Sequence, residues 1–181
     1  MASTRPVYWD TSCFICFLNK SELDRRKICE DVLRHAQLGA ITLHTSVWTI
    51  AETVRPKAKS LPGARPLTAN EIVAIGAVFR WSWITKHDVD QRVAFKAVEL
   101  SRDFNLSPAD AVHAATAIVW RCHVLQRWDR DFDRIKHLIP VESPAMMTAA
   151  QSQADMASVE GSFGPQRLGP HPDDFEEPTS P

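Results

Sequence analysis

A chain of 181 residues that is 44% hydrophobic and 24% charged has the apolar material for one globular core, and no stretch of it is long and apolar enough to span a bilayer. The formal net charge of −1 is unevenly spread: residues 143–181 hold six acidic residues against Arg167 alone, a net −5, which leaves +4 on residues 1–142. A mildly basic body is compatible with a nucleic-acid partner, and the balance excludes a strongly acidic or strongly basic chain.

Residues 7–9 (VYW) form a short apolar run ending in Asp10, Thr11 and Ser12. They predict a buried strand that delivers a carboxylate at its carboxyl end, with Thr11 and Ser12 capping the next element. Residues 13–18 are apolar all round and predict a short buried helix. Residues 21–38 predict a longer one, opened by the pair Ser21/Asp24 and stopped by Gly39. Residues 40–44 (AITLH) predict a second strand, and Ser46 then caps a helix that carries Glu52 and Thr53 near its end. Residues 55–66 (RPKAKSLPGARP) read as a basic loop and a candidate flap over a substrate.

Residues 68–79 predict a helix with a capping box, residues 81–85 a strand by their alternation, and residues 90–104 an amphipathic helix. The segment 106–120 (LSPADAVHAATAIVW) is the most informative. Ser107 suits an N-cap, Pro108 the first helical position, and Asp110 sits three residues after the cap. Ala111, Ala114, Ala115 and Ile118 make an apolar stripe behind it at helical spacing, most of it small residues. Residues 124–128 predict a further strand that delivers Asp129 and Asp131, and residues 138–141 a last edge strand.

Strands alternating with helices predict an α/β fold with a mainly parallel sheet over residues 1–143. From Pro144 to the end the chain is Pro-rich and acidic with little to bury, so residues 144–181 are expected to be a disordered tail. A polar start and four cysteines without a disulfide framework predict a cytoplasmic protein, with no membrane association.

In parallel sheets, function sits outside the carboxyl ends of the strands. Asp10, Glu52, Asp110 and Asp129 could meet there. Two like charges at ~4 Å cost about 4 kcal/mol at an effective dielectric of 20. A divalent cation removes that cost, and oxygen-only ligands select hard ions such as Mg²⁺ or Mn²⁺. Each acid also has an ordinary structural reading: Asp10 and Asp110 as helix caps, Glu52 as a solvated helix residue, Asp129 and Asp131 as turn residues. His113, one turn beyond Asp110, fits packing or hydrogen bonding better than catalysis.

Taken together, VYWDTS, SVWTIAETVRP, LSPADAVHAATA and WDRDF resemble the PIN-domain nucleases, most closely the VapC-type toxins of bacterial toxin–antitoxin pairs. The resemblance spans roughly residues 5–141. It implies a three-layer α/β/α fold and Mg²⁺- or Mn²⁺-dependent hydrolysis of RNA. Asp10, Glu52, Asp110 and Asp129 then occupy the family's acidic positions, Asp10, Asp110, Asp129 and Asp131 being the metal ligands. It also implies a homodimer and a cognate antitoxin. One departure stands out: Arg127 replaces the Thr or Ser often found two residues before the fourth acid, exchanging a polar support for a phosphate contact. Arg55, Lys57, Arg127 and Arg130 are the substrate-binding candidates. Two other readings compete. One is a non-catalytic PIN-like module that binds RNA or protein. The other is a dithiol redox protein built on Cys13 and Cys16, whose bulky apolar spacer argues for burial instead.

Overall fold

Alternating side chains of the first strand set up two separate cores. In β1 (Arg5–Trp9), Val7 and Trp9 enter one apolar cluster and Tyr8 enters another. The computed structural model describes residues 5–19, 22–54 and 67–147. After β1 come α1 (Thr11–Leu18), α2 (Leu23–Gln37), β2 (Ile41–Ser46), α3 (Val47–Thr53), α4 (Ala69–Phe79) and β3 (Ile84–His87). The chain continues through α5 (Gln91–Phe104), α6 (Pro108–Val119), β4 (Val124–Gln126), a 3-10 turn (Asp131–Ile135) and β5 (Val141–Glu142).

All strand pairings are parallel, in the order β3-β2-β1-β4-β5. One face of the sheet carries α1, α2 and α4 over Trp9, Leu43, Ile84 and Val124; the other carries α5 and α6 over Tyr8 and Leu125. The result is the expected α/β/α sandwich. The small stripe on α6 (Ala111, Ala114, Ala115) is fully buried against the sheet, as its spacing implied.

Several boundaries differ from expectation, each for a visible reason. The N-cap of α1 is Asp10, whose carboxylate accepts the Cys13 N–H; Thr11 and Ser12 already lie inside the helix. The N-cap of α2 is Glu22, without a side-chain cap bond, and Ser21 lies outside the described residues. The strand expected at 81–85 begins at Ile84, because residues 81–83 turn: the Ile84 N–H donates to the Trp81 carbonyl, and the Trp81 and Trp83 rings stack 4.9 Å apart. Their alternation reflected ring packing. The last strand is Val141–Glu142 rather than 138–141, since the Leu138 N–H still bonds the Ile135 carbonyl at the end of the 3-10 turn.

Gly39 has φ +77 and ends α2 as expected. The expected basic loop 55–66 lies outside the described residues, as does the tail from residue 148 on. Residues 144–147 remain attached to the body: Pro144 is buried, and the Met147 N–H donates to Asp31 Oδ2 at 2.9 Å. No helix among the described residues is long and apolar enough to cross a membrane.

Candidate active site

Four elements deliver acids to the carboxyl edge of the sheet. Asp10 leaves β1 at the head of α1 and is almost wholly buried. Its Oδ1 accepts the Ser12 hydroxyl at 2.7 Å and the Cys13 N–H at 3.3 Å, and Ser12 Oγ in turn accepts the Trp128 N–H at 2.9 Å. Ser12 thus ties the end of β1 to the loop after β4. Asp110 opens α6, where the Ser107 hydroxyl donates to it at 2.6 Å while accepting its N–H. Asp129 follows β4, and its Oδ1 accepts the Asp131 N–H at 3.2 Å.

These carboxylates feel one another. Burial, the largest cause, and the charge of Asp129 push Asp10 up to about 6, against the opposing pull of His113 and Ser12. Asp110 is raised by burial and then by Asp131 and Asp129; Asp129 is raised by burial and then by Asp131. The first, third and fourth acids, with Asp131 exposed beside them, therefore form one electrostatic group. A cleft of about 500 Å³ opens on the Asp110 and Asp131 side of this group, lined also by Ser107 and Arg134.

Among the described residues, no three His, Cys, Asp or Glu side chains are gathered closely enough to hold a metal ion as they stand. The donor chemistry nevertheless suits a hard divalent cation: all donors are carboxylates, three of them hold protons more tightly than usual, and a cation would relieve that.

Glu52 is organised differently. It sits near the end of α3, and its Oε2 lies 2.7 Å from His113 Nε2 and also accepts the Thr11 hydroxyl. Burial alone would raise its pKa; the bonds from His113 and Thr11 bring it below the usual carboxylate value. His113, treated as a packing or hydrogen-bonding residue in the sequence, is the buried hub of this arrangement. Its Nδ1 lies 2.9 Å from the Tyr8 hydroxyl and its Nε2 3.0 Å from Thr11 Oγ1. Tyr8 and Thr11 were missed as site residues. The signal for them was nearness to Asp10 in the chain, Thr11 directly after it and Tyr8 two residues before.

The basic candidates fare unequally. Arg127 is not free to meet a phosphate: its guanidinium is buried and pairs with Asp133, with Ser143 Oγ 3.5 Å from Nη1. Its charge still lowers Asp129 somewhat, so it supports the fourth acid electrostatically in place of a hydroxyl. Arg130 is exposed next to the acids. Arg55 and Lys57 lie outside the described residues. The dithiol reading loses its footing: Cys13 and Cys16 are buried, and burial pushes both thiols up, away from a reactive thiolate.

Two solved structures share this arrangement of elements. Mycobacterium tuberculosis VapC20, a sarcin–ricin loop cleaving toxin, matches with 20% identity over 70% of this chain and 92% of its own, at a TM-score of 0.54. VapBC2 from Rickettsia felis, bound to a DNA fragment from its promoter, matches with 18% identity over 76% of this chain and 98% of its own, at 0.55. At these identities the likeness is one of fold. No curated protein matches. The model of the PIN domain matches residues 7–138, a span that includes all four acids, and the chain belongs to the PIN domain family.

Proposed function

We propose that this chain is a metal-dependent endoribonuclease, the toxin of a toxin–antitoxin pair. One observation carries the reading: acids from separate elements share an electrostatic neighbourhood at the carboxyl edge of the sheet, and two of them, Asp110 and Asp131, line an open cleft. That is a place for a multiply charged phosphodiester and its counter-ion. A fold neighbour that is a sarcin–ricin loop cleaving toxin supports RNA as the substrate.

Asp10, Asp110 and Asp129 would hold Mg²⁺ or Mn²⁺, with Asp131 at the rim. When bound, the ion supplies a Lewis acid for the phosphoryl oxygens and lowers the pKa of water. The chain's own residues do the rest. Ser12 and the Cys13 N–H fix Asp10, the Ser107 hydroxyl fixes Asp110, and the Asp131 N–H fixes Asp129. Glu52 orients the attacking water. Arg130 contacts the phosphate backbone, joined by Arg55 and Lys57. A homodimer, a cognate antitoxin and a cytoplasmic site of action complete the reading.

The test is to express wild type and Asp10→Asn and to sequence RNA 5′ ends. New ends in wild type only, dependent on Mg²⁺ or Mn²⁺ in the purified reaction, are expected; equal cleavage by both proteins would discard the assignment. A second reading, a PIN fold that binds RNA or protein without cutting, draws on the absence of a closed three-acid group among the described residues. Calorimetric titration with Mn²⁺ separates the two. Binding that Asp10→Asn removes supports the nuclease; no binding supports the module.

A further inference from the structure

The nuclease reading gives Glu52 a task but leaves unused the buried pair behind it, Tyr8 and His113. Glu52 has a difficult position. It lies near the carboxyl end of a seven-residue helix, where a carboxylate is disfavoured by the helix dipole, and its own helix offers it only the Trp48 side chain, a weaker influence than the partners from other elements. Its hold comes from elsewhere: the Thr11 hydroxyl on α1 and the His113 ring on α6 both reach Oε2. His113 is itself 2% exposed and is braced on its far side by Tyr8 of β1, which is completely buried.

We propose that His113 is a positioning residue that fixes the Glu52 carboxylate through a proton on Nε2, with Tyr8 locking the ring from the Nδ1 side. The distance demands this proton. A ring nitrogen and a carboxylate oxygen 2.7 Å apart repel unless a hydrogen lies between them. Glu52 is held below the usual carboxylate pKa against the effect of burial, so the hydrogen belongs to the imidazole. Whichever way the Tyr8 O–H points, its oxygen stays 2.9 Å from Nδ1 and prevents the ring from turning over. Three elements, β1, α1 and α6, thereby set one carboxylate at the edge of the acid group.

The inference rests on the ribonuclease reading, and two measurements keep their failures apart. Long-range ¹H–¹⁵N correlation on the metal-free full chain reads the ring directly. A protonated Nε2 is expected; a bare Nε2 would overturn the proposal even if RNA is cut. Cleavage of a pool of end-labelled RNA hairpins with randomised loops, in Mg²⁺ or Mn²⁺, reads the consequence. His113→Ala should lose about 10- to 100-fold in kcat with KM unchanged. His113→Gln, which returns an N–H near the same place, should recover part of it. His113→Ala combined with Glu52→Gln should be no worse than Glu52→Gln alone. Additive losses, or a His113→Ala enzyme as fast as wild type, would refute the clamp. A wild type that cuts none of the pool would remove the ribonuclease reading and leave the ring protonation to decide the clamp.

Discussion

Asp10 is both a helix cap and a buried anion, and the two roles act in opposite directions on its proton. Burial dominates and sets it at about 6, above the ordinary carboxylate range. The folded chain therefore binds this proton more tightly than the unfolded chain, whose carboxyl titrates near ~3.9. The contribution of Asp10 to metal-free stability should fall as pH rises from ~4 to ~6, by about 3 kcal/mol. His87 slopes the other way. Burial, then the neighbouring His44 ring 2.7 Å away, brings it down to about 4. The folded chain gives up a proton that the unfolded chain keeps to ~6.5, so this contribution is lost as pH falls from ~6.5 to ~4. In wild type the two offset each other. Asp10→Asn, which keeps an oxygen for the Cys13 N–H, should unmask the histidine: its stability should drop on acidification across that window. Denaturant melts at closely spaced pH values measure it, and a profile matching wild type would mean that Asp10 titrates normally. Excess Mg²⁺ near pH 7 should stabilise wild type and leave Asp10→Asn unmoved.

At the scale of the element, three Ser/Thr-x-x-acid boxes looked alike in the sequence, and the structure separates them. Thr68/Glu71 is a reciprocal capping box on the surface. Ser107/Asp110 caps α6 and also lines the acid cleft. Ser21 lies outside the described residues. Thr68→Ala and Ser107→Ala should each cost about 1 kcal/mol in thermal or denaturant melts. Only Ser107→Ala should also weaken Mn²⁺ binding, because it frees the Asp110 carboxylate from its 2.6 Å hydroxyl donor. Equal metal affinity in both variants would mean that Ser107 is a cap and nothing more. Caps and stripes such as Thr68, Ser46, Asp90 and the α6 alanines were legible in the sequence, because they are local and obey a spacing. The start of β3 was not, because whether Trp81 and Trp83 belong to a strand or stack in a turn is decided by partners such as Phe17, more than sixty residues earlier in the chain.

For the whole molecule, topology does what spacing cannot. Asp10 and Asp129 are neighbours because β1 and β4 pair in parallel, with Trp9 opposite Gln126, and because Ser12 bridges to the Trp128 N–H. The family pattern puts both at acidic positions. The hub at His113 was illegible, since it needs β1, α1, α3 and α6 in place at once. Arg127 was misread for the same reason, its partner Asp133 being defined only once the 3-10 turn forms. The composition change at Pro144 likewise marked the end of the body too early. Met147 packs on the first core, and its N–H reaches Asp31, which is 5% exposed and also pairs with Arg34. Burial alone would raise Asp31; the Met147 N–H, then Arg34 and His35, hold it below the ordinary value. A chain ended after Met147 should thus be as stable as the full chain, and one ended after Ser143 weaker by about 1–3 kcal/mol near pH 7. Because a lowered carboxyl stabilises only while ionised, that deficit should shrink as pH falls below ~4 and the proton returns to Asp31. Melts of the two shortened chains near pH 7 and near pH 3 decide it: a deficit of the same size at both would assign the loss to Met147 packing and not to the bond with Asp31.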